Sequence, residues 1–225
     1  MSDEFWDGSH QSRQLSYPWD AVVSFIFRNV PKRIKSSVNV LEVGCGDGNN
    51  LWVVVREGFN AYGIDGSAAA IDKARGRLAK ENYSGDLRVG RFGEPLPWQN
   101  DHFDLVIDRA ALTYCDDATM RFMLSEIHRV LRPSGRVFLD VYGDSHSSYR
   151  SGKILDTGLT TDMSGGRIAG TPPTRFYSRR DIDAIFDRNN WVLRSVQRLE
   201  LTEMLNALGD IHSEYRVVAE KTEQS

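Results

Sequence analysis

Three acids in the sequence each stand at or near the end of an apolar run. Glu42 lies in Val38–Val43, Asp65 follows Asn60–Ile64, and Asp108 follows Phe103–Ile107. A carboxylate at the end of a buried strand can pair with a cation, or accept from two hydroxyls at once. Directly after Glu42 come Gly44, Gly46 and Gly48, then a helix-like run from Asn50 to Glu57. Glycines between a strand and a helix let backbone N–H groups approach a ligand closely. Doubly wound sheets bind nucleotides at this place, the carboxyl ends of their strands. The spacing is G-x-G-x-G, whereas a dinucleotide fingerprint is G-x-G-x-x-G and would require its third glycine where Asn49 stands. Glu42 also argues against a pyrophosphate and for a cationic partner. Asp65 follows Gly48 by seventeen residues, about where a nucleotide fold places the acid for the ribose hydroxyls. Each feature has a plainer reading: a glycine turn without ligand, a capping Asp65, and a local bridge between Asp108 and Arg109.

The elements that must hold these acids alternate. Strands are expected at Val38–Val43, Asn60–Asp65, Leu87–Val89, Phe103–Asp108 and Arg136–Tyr142. Helices are expected at Ala21–Val30, Asn50–Glu57, Ala68–Lys80 and Met120–Leu131. Gly58 suits a left-handed cap, Gly66 permits an unusual turn, and Ser67 caps the helix that follows it. Ser178-Arg-Arg-Asp181 has capping-box form. Trp191–Leu201 and Glu214–Glu220 complete seven strands, and the short connection 202–210 favours antiparallel pairing of the last two. Residues 143–177, rich in Gly, Ser and Thr, are too long for an ordinary connection and read as a lid or binding loop.

E-x-G-x-G-x-G after a strand resembles motif I of the class I S-adenosylmethionine-dependent methyltransferases, of the small-molecule type. LPWQNDHFDLVIDRAAL and LRPSG before an apolar strand resemble further stretches of that family. The resemblance covers roughly 38–221, with 143–177 outside it. It implies an α/β fold: a Rossmann-like, mostly parallel seven-stranded sheet with a terminal antiparallel strand and helices on both faces. It implies S-adenosylmethionine as cofactor. Glu42, Gly44, Cys45 and Gly46 would hold its methionine end and Asp65 its ribose. Gly66, Ser67, Phe92 and Gly93 would lie along the adenine, and Asp108 would face the methyl group or its acceptor. The family's usual aspartate near Phe92 is missing here, where Arg91-Phe92-Gly93 stands. Residues 1–36, with Phe5, Trp6, Tyr17 and Trp19, would cover the cofactor, and 37–225 would form the methyltransferase domain.

S-adenosylmethionine supplies an electrophilic methyl on a good leaving group, so the protein must align a nucleophile and remove its proton where it carries one. His10, His146, Asp108, Tyr114 and Tyr142 all stand near expected loop mouths. Catalytic roles are assigned to Asp108, His146 and His10, while His102, His128 and His212 read as packing or surface residues. A net charge of −3 gives no nucleic-acid footprint. No (D/N)PP(Y/F) follows the fourth strand, and neither Cys45 nor Cys115 follows a proline, as amino- and carbon-methylating nucleic-acid enzymes of this fold would require. Hydrophobic residues at 40% and charged ones at 26% are ordinary for a globular chain. No run is long enough to span a bilayer and the start lacks a signal pattern. The expectation is thus a cytoplasmic enzyme with no metal, acting at an oxygen of a metabolite or sugar. It would bind no nucleic acid or membrane, and a homodimer is the assembly expected if it associates. A nicotinamide-dependent oxidoreductase and a silent S-adenosylmethionine-binding scaffold remain as alternatives.

Overall fold

The computed structural model describes residues 16–205 and 210–222. Five strands come first, β1 (Asn39–Val43), β2 (Asn60–Asp65), β3 (Asp86–Val89), β4 (Phe103–Arg109) and β5 (Leu131–Tyr142), with helices between them as expected except that 90–102, from β3 to β4, contains turns and no helix. Seven strands join into one sheet in the order β3-β2-β1-β4-β5-β9-β8, where β8 is Trp191–Thr202 and β9 is Ile211–Lys221. The first five pair in parallel; β9 pairs antiparallel with both β5 and β8. The seven-stranded, mostly parallel sheet is therefore as expected. The chain's last strand is inserted between β5 and β8, so β8 takes the edge.

Alternation along the strands sends side chains to two cores. Val40, Leu105, Ile107 and Phe138 pack with α1 (Asp20–Asn29), α2 (Asn49–Arg56) and α3 (Ala68–Ala79). Leu41, Val106, Leu139 and Val217 pack with α4 (Asp117–Val130) and α6 (Arg179–Ile185). Both faces are covered, which is why β1 and β4 read as unbroken apolar runs. β1 lies between β2 and β4, placing Val43 beside Ile64 on one side and Asp108 on the other. That reversal of strand order opens a crevice at the strands' carboxyl ends.

One expectation is corrected, and the 143–177 segment gains detail. LRPSG does not separate helix from strand: α4 ends at Val130, and Leu131 already pairs with Phe103. A register shift then takes up Pro133–Gly135, with Ser134 at φ 61°, before Arg136 pairs with Leu105. Residues 143–177 are not structureless. They contain α5 (Ser147–Ser151) and a hairpin of β6 (Lys153–Ile154) with β7 (Thr160–Thr161). Arg175 N donates to Thr113 O at 2.7 Å and Thr113 Oγ1 to Arg175 O at 2.8 Å, tying the segment to the loop after β4. The Ser178 capping box opens α6 as its sequence requires.

Gly63 in β2 is the point where the sheet presses on the glycine loop. A Cβ there would stand 2.8 Å from both Cys45 Sγ and Leu51 Cδ1. Gly63→Ala is predicted to destabilise the fold by about 1–3 kcal/mol through overpacking. Urea denaturation measures this; an unchanged midpoint would show that the loop yields freely.

Candidate functional site

A cavity of about 740 Å³ occupies the crevice where β1, β2 and β4 end. The glycine loop forms its floor, with Gly44, Gly46 and Gly48 all at positive φ (66°, 51° and 77°). Gly44 is irreplaceable for a second reason: a Cβ there would overlap the Ala111 Cβ of the loop after β4. Glu42, Cys45, Asp65, Gly66, Ser67, Gly90, Arg91 and Phe92 line the cofactor half expected from the sequence.

Glu42 is 2% exposed. Its Oε1 accepts from Asn50 Nδ2 at 2.6 Å, while Oε2 is buried without a partner in the protein. Burial, resisted by the Asn50 bond and reinforced by Asp108, Asp65 and Asp47, pushes its carboxyl up to about 8. A buried acid with one oxygen unfilled beside a cavity is an acceptor for a ligand's ammonium. Asp65 is fixed differently. Its Oδ2 accepts from Gly46 N and its Oδ1 from Ser67 N, each at 2.9 Å. The bonds orient the carboxylate, and each oxygen retains a lone pair for a hydroxyl. The Cys45 thiol is driven upward by burial and then by Glu42 and Asp65, so it acts as a small filler.

Three expected residues stand elsewhere, and a fourth lies outside the described residues. Gly93 is outside the cavity wall, and its N–H points to Met123 Sδ at 3.4 Å; Gly90 and Arg91 flank Phe92 there instead. Asp108 is fully buried and does not line the cavity. Its Oδ1 accepts from Ala111 N at 3.2 Å and Leu112 N at 2.9 Å, so it shapes the turn that carries the wall. Nor does it bridge to Arg109, whose Nε lies 3.2 Å from Asp140 Oδ2. His146 is fully buried at the start of α5, where Nδ1 accepts from Ser148 N at 3.0 Å and Nε2 meets His212 Nδ1 at 3.3 Å. Burial, His212 and Arg167 lower it to about 4, and it is a packing residue. His10 lies outside the described residues, as do Phe5 and Trp6.

The wall also contains Trp19, expected as part of the cover, and Tyr114, expected near a loop mouth, together with residues the sequence assigned no site role: Asn49, Asn50, Ala110, Ala111 and Leu159. Trp19 N donates to Asn50 Oδ1 at 3.0 Å, so one amide ties the N-terminal segment to Glu42. The Trp19 ring lies over Arg109, with Cζ 4.2 Å from the ring centroid. Asn49 Nδ2 donates to Tyr17 O at 3.1 Å, a second anchor on the same helix turn. Arg109, Ala110, Ala111, Tyr114 and Cys115 come from the loop after β4, and Leu159 reaches in from the 143–177 segment. Asn50 had a visible signal, a polar residue in the first turn after the glycine loop. Leu159 had none.

Residues 40–135 match the family described as "Methyltransferase domain". A tRNA N(3)-cytidine methyltransferase of Gallus gallus is 24% identical over 176 residues, 73% of this chain and 45% of that protein. A ubiquinone biosynthesis O-methyltransferase of Chelativorans sp. is 25% identical over 149 residues, 62% of this chain and 57% of that one. A SAM-dependent methyltransferase structure from Methanosarcina mazei shares the fold, with a TM-score of 0.72 at 17% identity over 92% of this chain and 100% of that chain. The chain spans about half the length of the first curated relatives it matches. The residues present fit S-adenosylmethionine, with the unfilled Glu42 oxygen for its ammonium and Asp65 for its ribose.

The Glu42 carboxyl, at about 8 when folded against an ordinary 4.5, holds a proton that the unfolded chain releases between those limits. Its stabilisation is complete below about pH 4.5 and is lost as pH rises through about 8. A bound ammonium favours the ionised form, so S-adenosylmethionine binding at neutral pH should expel a proton, and affinity should rise up to about pH 8. Glu42→Gln should abolish that rise and weaken binding about 10–100-fold. Calorimetry in buffers of different ionisation enthalpy reads both effects. Asp108→Asn, which retains an acceptor for the turn, should leave affinity within about twofold; a tenfold loss would return Asp108 to the site.

Proposed function

We propose that the chain, with its class I S-adenosylmethionine-dependent methyltransferase domain, transfers the methyl group to an oxygen of a small metabolite or sugar. The observation that supports this reading is continuity. The cavity holding Glu42, the glycine loop and Asp65 extends without a break to Arg109, Tyr114, Cys115 and Leu159. When bound, S-adenosylmethionine supplies a methyl group on a positively charged sulfur. The chain's part is to hold the ammonium at Glu42, the ribose at Asp65 and the acceptor against the loop after β4, and to exclude water beneath Trp19 and Leu159. In this proposal residues 1–36 act as cover and 37–225 as the methyltransferase domain, with 143–177 bounding the acceptor. A small acceptor suits a wall partly roofed by Trp19 and Leu159, and the charge of −3 favours it over a polyanion.

A second reading, methylation of a base in RNA, is favoured by the tRNA methyltransferase relative. Against a nicotinamide cofactor stand Asn49 in the fingerprint position and the Glu42 acid beside the loop, where a pyrophosphate would be repelled. No described helix is long and apolar enough to cross a membrane. A cytoplasmic setting belongs to the proposal, supported by two free, buried cysteines.

Thermal melts with S-adenosylmethionine, S-adenosylhomocysteine, NAD and NADP test the cofactor. Stabilisation by the first two is expected, and a response to the dinucleotides alone would reject the reading. Asp65→Ala should weaken S-adenosylmethionine binding by at least about tenfold. Radiolabelled methyl transfer should then label a small-molecule fraction of a metabolite extract and leave total tRNA unlabelled. Labelled tRNA would establish the second reading, and binding without any transfer would leave a scaffold.

A further inference from the structure

Arg109 is the last residue of β4, and its side chain is 12% exposed at the cavity wall. A guanidinium has five N–H donors. Not one of them makes a hydrogen bond to another described residue, and Nε is among the buried atoms left without such a partner. The group is nevertheless held in place from two sides. Asp140 Oδ2 stands 3.2 Å from Nε, and the Trp19 ring covers the guanidinium face at 4.2 Å. Nε faces Asp140, and the Nη donors, which no described residue fills, are left at the cavity wall for an acceptor from outside the chain.

Its charge is also incompletely balanced. Burial outweighs the nearby arginines and holds the Asp140 carboxyl up at about 7, and Arg216 competes for it at 3.8 Å. Glu214, the other acid behind the wall, is already paired with Arg216 and with His212 at 3.1 Å. A planar guanidinium presenting free donors matches a carboxylate in a two-point fork.

Among the described residues, the cavity wall offers no free base to activate a neutral acceptor. Among the described lining residues there is no histidine or lysine. Asp47 is paired with Arg77 at 2.9 Å, and Asp116 caps α4 through Thr119 N at 2.8 Å. Asp65 receives Gly46 and Ser67, and Glu42 is set for the cofactor's ammonium. The Tyr114 phenol is pushed far above its ordinary value by burial and by Tyr142, and Cys115 is pushed up to about 12 by burial. An acceptor that arrives already ionised requires no base. On the same loop as Arg109, Ala110, Ala111, Tyr114 and Cys115 line the wall with neutral side chains, as Leu159 does from the 143–177 segment, while Asp116, the acid of that loop, is engaged by Thr119 N; these neutral groups suit an apolar body attached to an anionic head.

We infer that the acceptor is an organic carboxylic acid, received as its carboxylate by Arg109 and released as a methyl ester; this rests on the methyl-transfer reading above. A carboxylate oxygen lone pair forms the new bond to the methyl carbon. The carbon–sulfur bond breaks, and its electron pair stays on sulfur. A cation and an anion become a neutral thioether and a neutral ester, with no proton gained or lost. Asp140 is a positioning residue for Arg109, and Trp19 closes over the same group.

Calorimetry on the protein saturated with S-adenosylhomocysteine separates this inference from the reading beneath it. If S-adenosylhomocysteine does not bind, the methyltransferase site itself is rejected. With it bound, acetate, benzoate, phenylacetate and octanoate are titrated against their amides and against phenyl phosphate. At least one carboxylate should bind about tenfold more tightly than its amide, a ratio typical of a charge-assisted pair. Arg109→Gln should reduce that ratio to parity while keeping S-adenosylhomocysteine affinity, and Arg109→Lys should restore part of it. The Arg109 Nε–H resonance should shift on carboxylate addition, which a merely structural arginine would not show. Parity in the unaltered protein, a preserved preference in Arg109→Gln, tighter binding of phenyl phosphate, or no carboxylate binding at all would each overturn the inference.

Discussion

A carboxylate sunk at the end of the central strand, with one oxygen bound by Asn50 and the other unfilled, is the constraint around which this molecule is arranged. Glu42 is desolvated because β1 lies between two parallel neighbours with both sheet faces covered. An isolated buried acid is costly unless something offsets it. Here one half is offset by a side-chain amide and the other half is left to a cationic ligand, so part of the fold's cost is recovered only on binding. That makes the crevice selective. A pyrophosphate would meet like charge, while a ligand bearing an ammonium relieves the strain on Glu42.

The same logic explains why acids and histidines gathered near the strand ends have such different roles. Asp108 is as buried as Glu42 and its Oδ2 likewise meets no described partner, but it does not line the cavity, and its Oδ1 is taken up by two backbone N–H groups, so it stabilises the turn on which Ala111 approaches the glycine loop. His146, His212, Glu214, Arg216 and Asp140 form a run of ionisable groups behind the wall, linked by ion pairs and by the contact between the two histidines, while the Asp140 oxygens and Arg216 Nε make no hydrogen bond to a described residue. Their pairing allows charges inside the domain without opening them to the cavity. Arg109 is the member that reaches the cavity. It links this interior run to the Trp19 cover.

Asn50 gives the cover its coupling. One side chain accepts from the Trp19 backbone and donates to Glu42, so a ligand that shifts Glu42 also bears on the anchoring of the N-terminal segment. On the opposite rim the 143–177 segment is tied to the loop after β4 by reciprocal bonds between Thr113 and Arg175. The cofactor half of the cavity is thereby built from strand ends and their turns. The acceptor half is assembled from two chain segments lying over them.

By itself the sequence determined the alternating sheet, the glycine loop, and Glu42 and Asp65 as its acids, because these depend on local quantities. Short apolar runs bounded by turns, glycine at positive φ and short spacings are set within a few tens of residues. It also indicated the capping box at Ser178 and the antiparallel closing pair. Only the tertiary structure decided that Asp108 and His146 face inward, that Gly93 turns its N–H to Met123, and that Trp19, Arg109 and Leu159 share one wall. Those outcomes depend on which of several polar atoms a side chain meets after packing: Asp108 turns to backbone N–H groups three and four residues on, while the partners of Gly93 and His146 include groups 30 and 66 residues away and the wall is drawn from separate loops. A one-dimensional pattern contains the strand that ends in an acid. Which way that acid points is settled by the backbone N–H groups and neighbouring charges that folding brings beside it.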